Sequence, residues 1–201
     1  MGKFIVFEGL DGSGKTTQIS LLSQYLKKRG VVCCCTKEPS DGPIGALVRG
    51  AVRGSIEFEP ESMALLFAAD RAEHLAAEIC PALAKGEIVL CDRFLLSNLA
   101  YQGTQISMKD IISFNKYNLR PVPDITIFID TEPAECTKRI INTRVEMEIY
   151  DGIEYASRIR TQYFSAFQLL DNYMKVVVID GNKNEKDVFS RILECLSIFK
   201  L

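Results

Sequence analysis

The sequence predicts an α/β domain: a five-stranded parallel sheet with helices on both faces. Two observations carry this expectation. Short apolar runs alternate with longer stretches of helical periodicity. Four of the five strand candidates are dense in Val and Ile with little polar alternation, the pattern of strands covered on both faces. Three of the candidates also end on an aspartate. Ligands of such sheets bind beyond the carboxyl ends of the strands, so these acids, Asp92 above all, are expected to face a site.

The elements follow in order. Lys3–Glu8 is the first strand. Lys15–Arg29 is a helix with Ile19, Leu22 and Leu26 at helical spacing, closed by Gly30. Val31–Lys37 is the second strand, and its consecutive Cys33, Cys34 and Cys35 are expected to be buried. Glu61–Lys85 repeats apolar residues from Leu65 to Ile79 at helical spacing; Pro81 should kink or break it and Gly86 stop it. Glu87–Asp92, Ile125–Asp130 and Lys175–Asp180 complete the strands. Helices are expected over Pro133–Asn142, Gly152–Asn172 and Glu185–Phe199.

A chain of 201 residues fits one domain, with a small lid at most. It can bury roughly 70% of its unfolded surface and needs no staples. A net charge of −2 gives no basic field for nucleic acid. Seven cysteines include no C-x-x-C pair, so no zinc site is expected. Their odd number and the lack of a secretory leader point to a reducing, cytoplasmic setting. No apolar run reaches the ~18 residues of a membrane span.

Gly9-Leu10-Asp11-Gly12-Ser13-Gly14-Lys15-Thr16 fits G-x-x-x-x-G-K-[ST], with an apolar strand before it and an amphipathic helix after it. Such a loop turns backbone N–H groups toward phosphate oxygens at a helix N-terminus. Lys15 would neutralise the β and γ phosphates and Thr16 would offer its hydroxyl to Mg²⁺. This is the fold and grip of a P-loop NTPase. A GTPase would also need N-K-x-D. The nearest match, Asn115-Lys116-Tyr117-Asn118, lacks the aspartate and lies in a helix-like stretch, so it is taken as a chance match.

Asp92 closes the third strand, where an acid suits Mg²⁺ or its water shell. Arg93 beside it can clamp a phosphate with two donors. A simple Asp92–Arg93 ion pair capping the strand fits the same pattern. Phe67 and Arg71 are four apart and share a helix face; they could grip a planar base, or be a core Phe and a surface Arg. His74, the single histidine, is given no chemistry.

At these residues the chain closely resembles the thymidylate kinases. The resemblance rests on FEGLDGSGKTTQ (7–18), TKEP (36–39), LLFAADRAEH (65–74), PALAKGEIVLCDRFLLSNLAYQG (81–103), RPVPDITIFID (120–130) and IDG (179–181). A-D-R together with D-R-x-x-x-S-x-x-A-Y-Q-G is far more specific than the phosphate loop. The resemblance implies transfer of the ATP γ-phosphate to dTMP with Mg²⁺, by a homodimer. Gly9, Leu10, Asp11, Gly12, Ser13, Gly14, Lys15, Thr16 and Thr17 would bind ATP, with Arg139 near the adenine. Thr16 and Asp92 would serve the metal. Asp11 would lie by the sugar 3′-hydroxyl and the acceptor phosphate. Phe67 would stack on thymine, and Arg71 would bond its carbonyl edge. Arg93 would hold the dTMP phosphate in line. Ser97, Tyr101 and Gln102 would line the nucleoside pocket, with Tyr101 blocking a 2′-hydroxyl. Glu38 and Arg49 would support the acceptor phosphate region.

The chain departs from the family pattern in places. Family members carry a catalytic arginine in the phosphate loop or in the lid, and Gly12 leaves the loop without one. The lid candidate, Arg139 to Asp151, offers Arg144, flanked by Glu146 and Glu148. Arg144 is therefore expected to join Lys15, Arg93 and Asp11 as a catalytic residue, with Arg139 as the substitute. Lys37 stands where the family has the arginine of R-E-P, and Met63 where many members have glutamate. Two other readings stay open at this stage. One is a related P-loop kinase of another deoxynucleotide or a deoxynucleoside. The other is an NTP-binding module without transfer activity.

Overall fold

The computed structural model describes residues 2–143 and 152–197. Five parallel strands form one sheet: β1 (Lys3–Glu8), β2 (Cys33–Lys37), β3 (Ile88–Asp92), β4 (Ile125–Asp130) and β5 (Val176–Asp180), in the order β2-β3-β1-β4-β5. Register pairs both Phe7 and Lys37 with Asp92. The strands that precede the phosphate loop and the acceptor residues therefore end level with one another.

Helices cover the sheet on both sides. Alternation along β1 sends Phe4 and Val6 into one apolar cluster and Ile5 and Phe7 into another. The second cluster is closed by α1 (Lys15–Lys28) and α9 (Glu185–Ser197). The first is closed by α3 (Pro60–His74), α5 (Leu95–Gln102) and α8 (Ile153–Leu170). The remaining helices are α2 (Pro43–Val52), α4 (Cys80–Ala84), α6 (Met108–Phe114) and α7 (Pro133–Thr143).

The structure alters three expectations. The stretch from Glu61 to Lys85 is not one uniform helix. α3 passes into a π-helical turn, Leu75–Ile79, before α4. Cys80 donates its N–H to Leu75 O, five residues back, and Pro81, which has no N–H, follows. The Pro therefore widens the turn rather than ending the helix. Second, the cysteine strand is not buried: β2 is an edge strand, Cys35 is exposed, and Cys33 and Cys34 are half-buried. An apolar run cannot by itself report whether a strand has neighbours on both sides. Third, α2, α5 and α6 had no separate helical expectation; each is 10 residues or shorter, too brief for a strong periodic signal. Phe199 lies outside the described residues.

Candidate active site

The phosphate loop leaves β1 directly. Ser13 N–H donates to Leu10 O at 3.1 Å, and Gly14, at φ 99°, leads into α1. Gly12 has φ 77°, and a Cβ there would lie 2.5 Å from the carbonyl oxygen of Cys136 on α7. A side chain there would strain the backbone and force a shift of α7, which disfavours an arginine in this loop. Lys15 is buried and turns its ammonium onto Leu10 O at 2.8 Å and Gly9 O at 3.1 Å. Burial pushes its pKa down from the usual lysine range and Arg93 adds to this, while Asp92, Asp11 and Glu8 oppose it.

Thr16 donates its hydroxyl to Asp92 Oδ2 at 3.0 Å. Asp92 Oδ1 is buried with no hydrogen-bond partner among the described residues. A hydroxyl beside an unpartnered carboxylate oxygen is a donor set that suits Mg²⁺, which completes its shell from phosphate oxygens and water. Thr16, Asp92, Lys15 and Arg93 line a cavity of about 680 Å³ with Gly12, Ser13, Gly14, Thr17 and Arg139. Arg139 donates to Gly12 O at 3.4 Å and pairs with Glu135 at 2.9 Å. Arg144, with Glu146 and Glu148, lies outside the described residues.

Arg93 joins this cavity to a second one. Its φ of 72° is unusual for a residue with a Cβ. Its N–H bonds Phe7 O at 2.8 Å, which anchors the turn. Nη2 donates to Asp11 Oδ1 at 2.9 Å and Tyr101 Oη at 3.1 Å; Nη1 donates to Ser97 Oγ at 3.0 Å and Tyr163 Oη at 3.1 Å. The ion pair it forms is with Asp11 rather than Asp92, so the strand-capping alternative does not hold. Burial works against its charge, but Tyr101, Asp11 and Tyr163 outweigh that and raise its pKa.

The second cavity, of about 370 Å³, is lined by Asp11, Glu38, Arg49, Phe67, Arg71, Arg93, Ser97, Tyr101 and Gln102. The fold thus gathers onto one surface all nine residues that the resemblance assigns to the acceptor. Burial reverses the core-Phe, surface-Arg alternative: Arg71 is 1% exposed and Phe67 is half-buried. Arg71 Nη2 pairs with Glu38 Oε2 at 2.6 Å, Nη1 donates to Asn115 Oδ1 at 2.6 Å, and Nε has no hydrogen-bond partner among the described residues. Glu38 borders both cavities, and its carboxylate pairs with Arg71. Arg49 Nη1 donates to Ser40 O, close to the Glu38–Pro39 turn.

Sequence reasoning missed several residues here. Glu8 is fully buried at the end of β1. Oε1 accepts from Phe94 N at 2.9 Å and Ser97 N at 3.1 Å; Oε2 accepts from Ser97 Oγ at 2.5 Å and Tyr163 Oη at 2.9 Å. It thereby caps the N-terminus of α5 and orients two hydroxyls toward Arg93. Burial raises its pKa, with Arg93 and these hydrogen bonds opposing. Its signal was a glutamate ending an otherwise apolar strand. Asn98 accepts from Asn115 Nδ2 at 3.0 Å, and Asn118 donates to Ala68 O at 2.6 Å. The asparagines set aside as a chance match are therefore buried supports of the Arg71 wall.

The sequence profile described as thymidylate kinase matches residues 7–192. A protein named "Thymidylate kinase" from Bifidobacterium longum subsp. infantis is 37% identical over 199 residues, covering 95% of this chain and 84% of the other. A protein named "Probable thymidylate kinase" from Pyrococcus abyssi is also 37% identical, covering 96% of this chain and 94% of the other.

Proposed function

The chain belongs to the thymidylate kinase family, and from that premise we infer that it transfers the γ-phosphoryl group of ATP to dTMP, forming dTDP and ADP. The observation that carries the reading is the pairing of two cavities through Asp11 and Arg93, which border both. One offers a phosphate loop. The other offers an aromatic ring, a buried arginine and a phenol, the groups a nucleoside monophosphate needs.

Phosphoryl transfer through a loose transition state asks for alignment and positive charge more than for proton transfer. The phosphate oxygen of the acceptor is already a nucleophile. Lys15 exchanges its loop carbonyls for the β and γ phosphates. Arg93 holds the acceptor phosphate, kept in place by Asp11, Ser97, Tyr101 and Tyr163. Thr16 and Asp92 would hold Mg²⁺, which when bound offsets the charge of the donor phosphates. Phe67 stacks on the base, Arg71 reads its carbonyl edge, and Gln102 lines the pocket. Burial raises the Tyr101 pKa, so the neutral phenol packs where a 2′-hydroxyl would lie. Arg144 is the catalytic arginine of the lid, which spans about residues 139–151 of a single domain. Arg139 lies at the adenine end. The working form is a cytoplasmic homodimer. No helix among the described residues is long and apolar enough to cross a membrane.

ADP release from ATP, measured with dTMP, dUMP, dCMP, dGMP, AMP and thymidine singly, tests this. dTMP is expected to give the highest kcat/KM. No acceptor-dependent ADP would defeat every kinase reading, and preference for another acceptor would move the substrate.

A further inference from the structure

Among the described residues, Asp11, Lys37, Glu38 and Arg93 border both cavities. Asp11 and Arg93 hold each other at 2.9 Å, and Glu38 is held by Arg71 at 2.6 Å. Lys37 differs from them. Its backbone is tied down while its side chain is held only at the surface. It ends β2 in register with Asp92, and the next N–H, that of Glu38, donates to Asp92 O at 2.9 Å. Alternation along β2 puts Lys37 on the face of Cys33, the side of α1 and the phosphate loop, while Glu38 turns to Arg71 on α3. The Lys37 side chain is 57% exposed, and its ion pair, at 3.4 Å, is with Asp41 Oδ1, itself 82% exposed. The same oxygen lies 3.7 Å from Arg49 Nη1.

The charge at this junction asks for a further cation. Phosphoryl transfer spreads negative charge over the equatorial oxygens of the moving group. Gly12 brings no side chain to it. Arg93 is shared with Asp11, and Lys15 lines the donor cavity alone. Lys37 is the one other described lysine or arginine that reaches both cavities. An exposed ion pair such as Lys37–Asp41 is weak and easily exchanged. A bond from an ammonium to a phosphate oxygen is charge-assisted, and it strengthens once two nucleotides displace water from the junction. Asp41 thus keeps the ammonium beside the cleft without tying it there.

We propose that Lys37 is a further catalytic residue: its ammonium leaves Asp41 and donates to oxygens of the phosphoryl group as that group passes from one cavity to the other. This rests on the reading of the cavities as donor and acceptor sites. The bond from the γ-phosphorus to the bridging oxygen breaks with its electron pair left on ADP. The new bond takes a lone pair of the acceptor phosphate oxygen. Lys37 stays protonated throughout, so it supplies charge and moves no proton. A contact made to the moving group acts on the rate and spares acceptor affinity.

Lys37→Gln removes the charge and Lys37→Arg keeps it. In single-turnover reactions with ATP and Mg²⁺ saturating, Lys37→Gln is expected to lower the rate at saturating dTMP about 10–100-fold, the scale of one hydrogen bond to a charged group. The dTMP concentration that gives half of that rate should stay within about threefold of the parent's, and Lys37→Arg should bring the rate back to within about threefold. The side chain is largely exposed, so neither variant should melt more than about 2 °C below the parent. An unchanged rate in Lys37→Gln, an equal loss in both variants, or a raised half-saturation at unchanged rate would each overturn the proposal. Adenosine 5′-tetraphosphate with Mg²⁺ reaches past the γ position without any acceptor. Its affinity should fall about tenfold in Lys37→Gln while that of ADP is unchanged. An equal effect on the two, or none, overturns the proposal even if dTMP proves not to be the acceptor, so the two readings fail separately.

Discussion

The two walls of the cleft are built in opposite ways. The donor wall is local: residues 9–17 run in one stretch from the end of β1 into α1, and backbone geometry does most of the holding. The acceptor wall is assembled from a distance. Arg71 on α3 meets Glu38 after β2, and it meets Asn115 just beyond α6, 44 residues further along the chain. A local loop can lose one side chain and keep its shape. A buried charge held by side chains cannot, because any partner removed leaves desolvated polarity behind.

Arg93, which belongs to both walls, should show the largest effect. Arg93→Ala is expected to lower turnover by about 10³–10⁵. Arg93→Gly should be as inactive yet melt higher than Arg93→Ala, since glycine relieves the positive φ by about 1–2 kcal/mol. Equal melting of the two would show that the left-handed turn is not strained. The walls themselves separate next. Lys15→Met should cost about 10²–10³ in turnover and melt no lower than the parent, because burial already disfavours its charge. Glu38→Gln should instead cost about 3–5 kcal/mol of stability, a drop of about 6–20 °C in Tm for a chain of this size. If the two variants melted alike, the contrast between the walls would fail.

The smallest effect is at Glu8, where the walls meet. Its folded pKa is raised by burial. The folded state therefore holds its proton more tightly than the unfolded chain does. This contribution to stability is complete below the ordinary glutamate value and is lost as pH rises through the folded value. Thermal melts from pH 4.5 upward should carry a declining component, and Glu8→Gln should flatten it.

How much was legible follows the same division. The strands ending at Glu8, Asp92 and Asp130 and the helix from Lys15 were readable because each is a local pattern. The nine acceptor residues were found by resemblance to a family, not by periodicity, which left Phe67 and Arg71 ambiguous. Glu8, Asn98 and Asn115 escaped because nothing local marks a polar residue as a buried partner. The pairing of Glu38 with Arg71 escaped for the same reason, since the two are 33 positions apart.

The sequence alone determined the α/β class, the phosphate grip and the absence of an arginine in it. Those depend on residue type at fixed spacing, and a helix or a loop is specified by its neighbours along the chain. Tertiary structure decided that a side chain at Gly12 would crowd the carbonyl of Cys136 on a distant helix. It also decided that β2 lies at an edge, that Arg93 answers to Asp11, and that His74 is buried between Thr36 and Glu38. Burial and partnership are set by what packs across the sheet, and the order of residues along one segment does not record that.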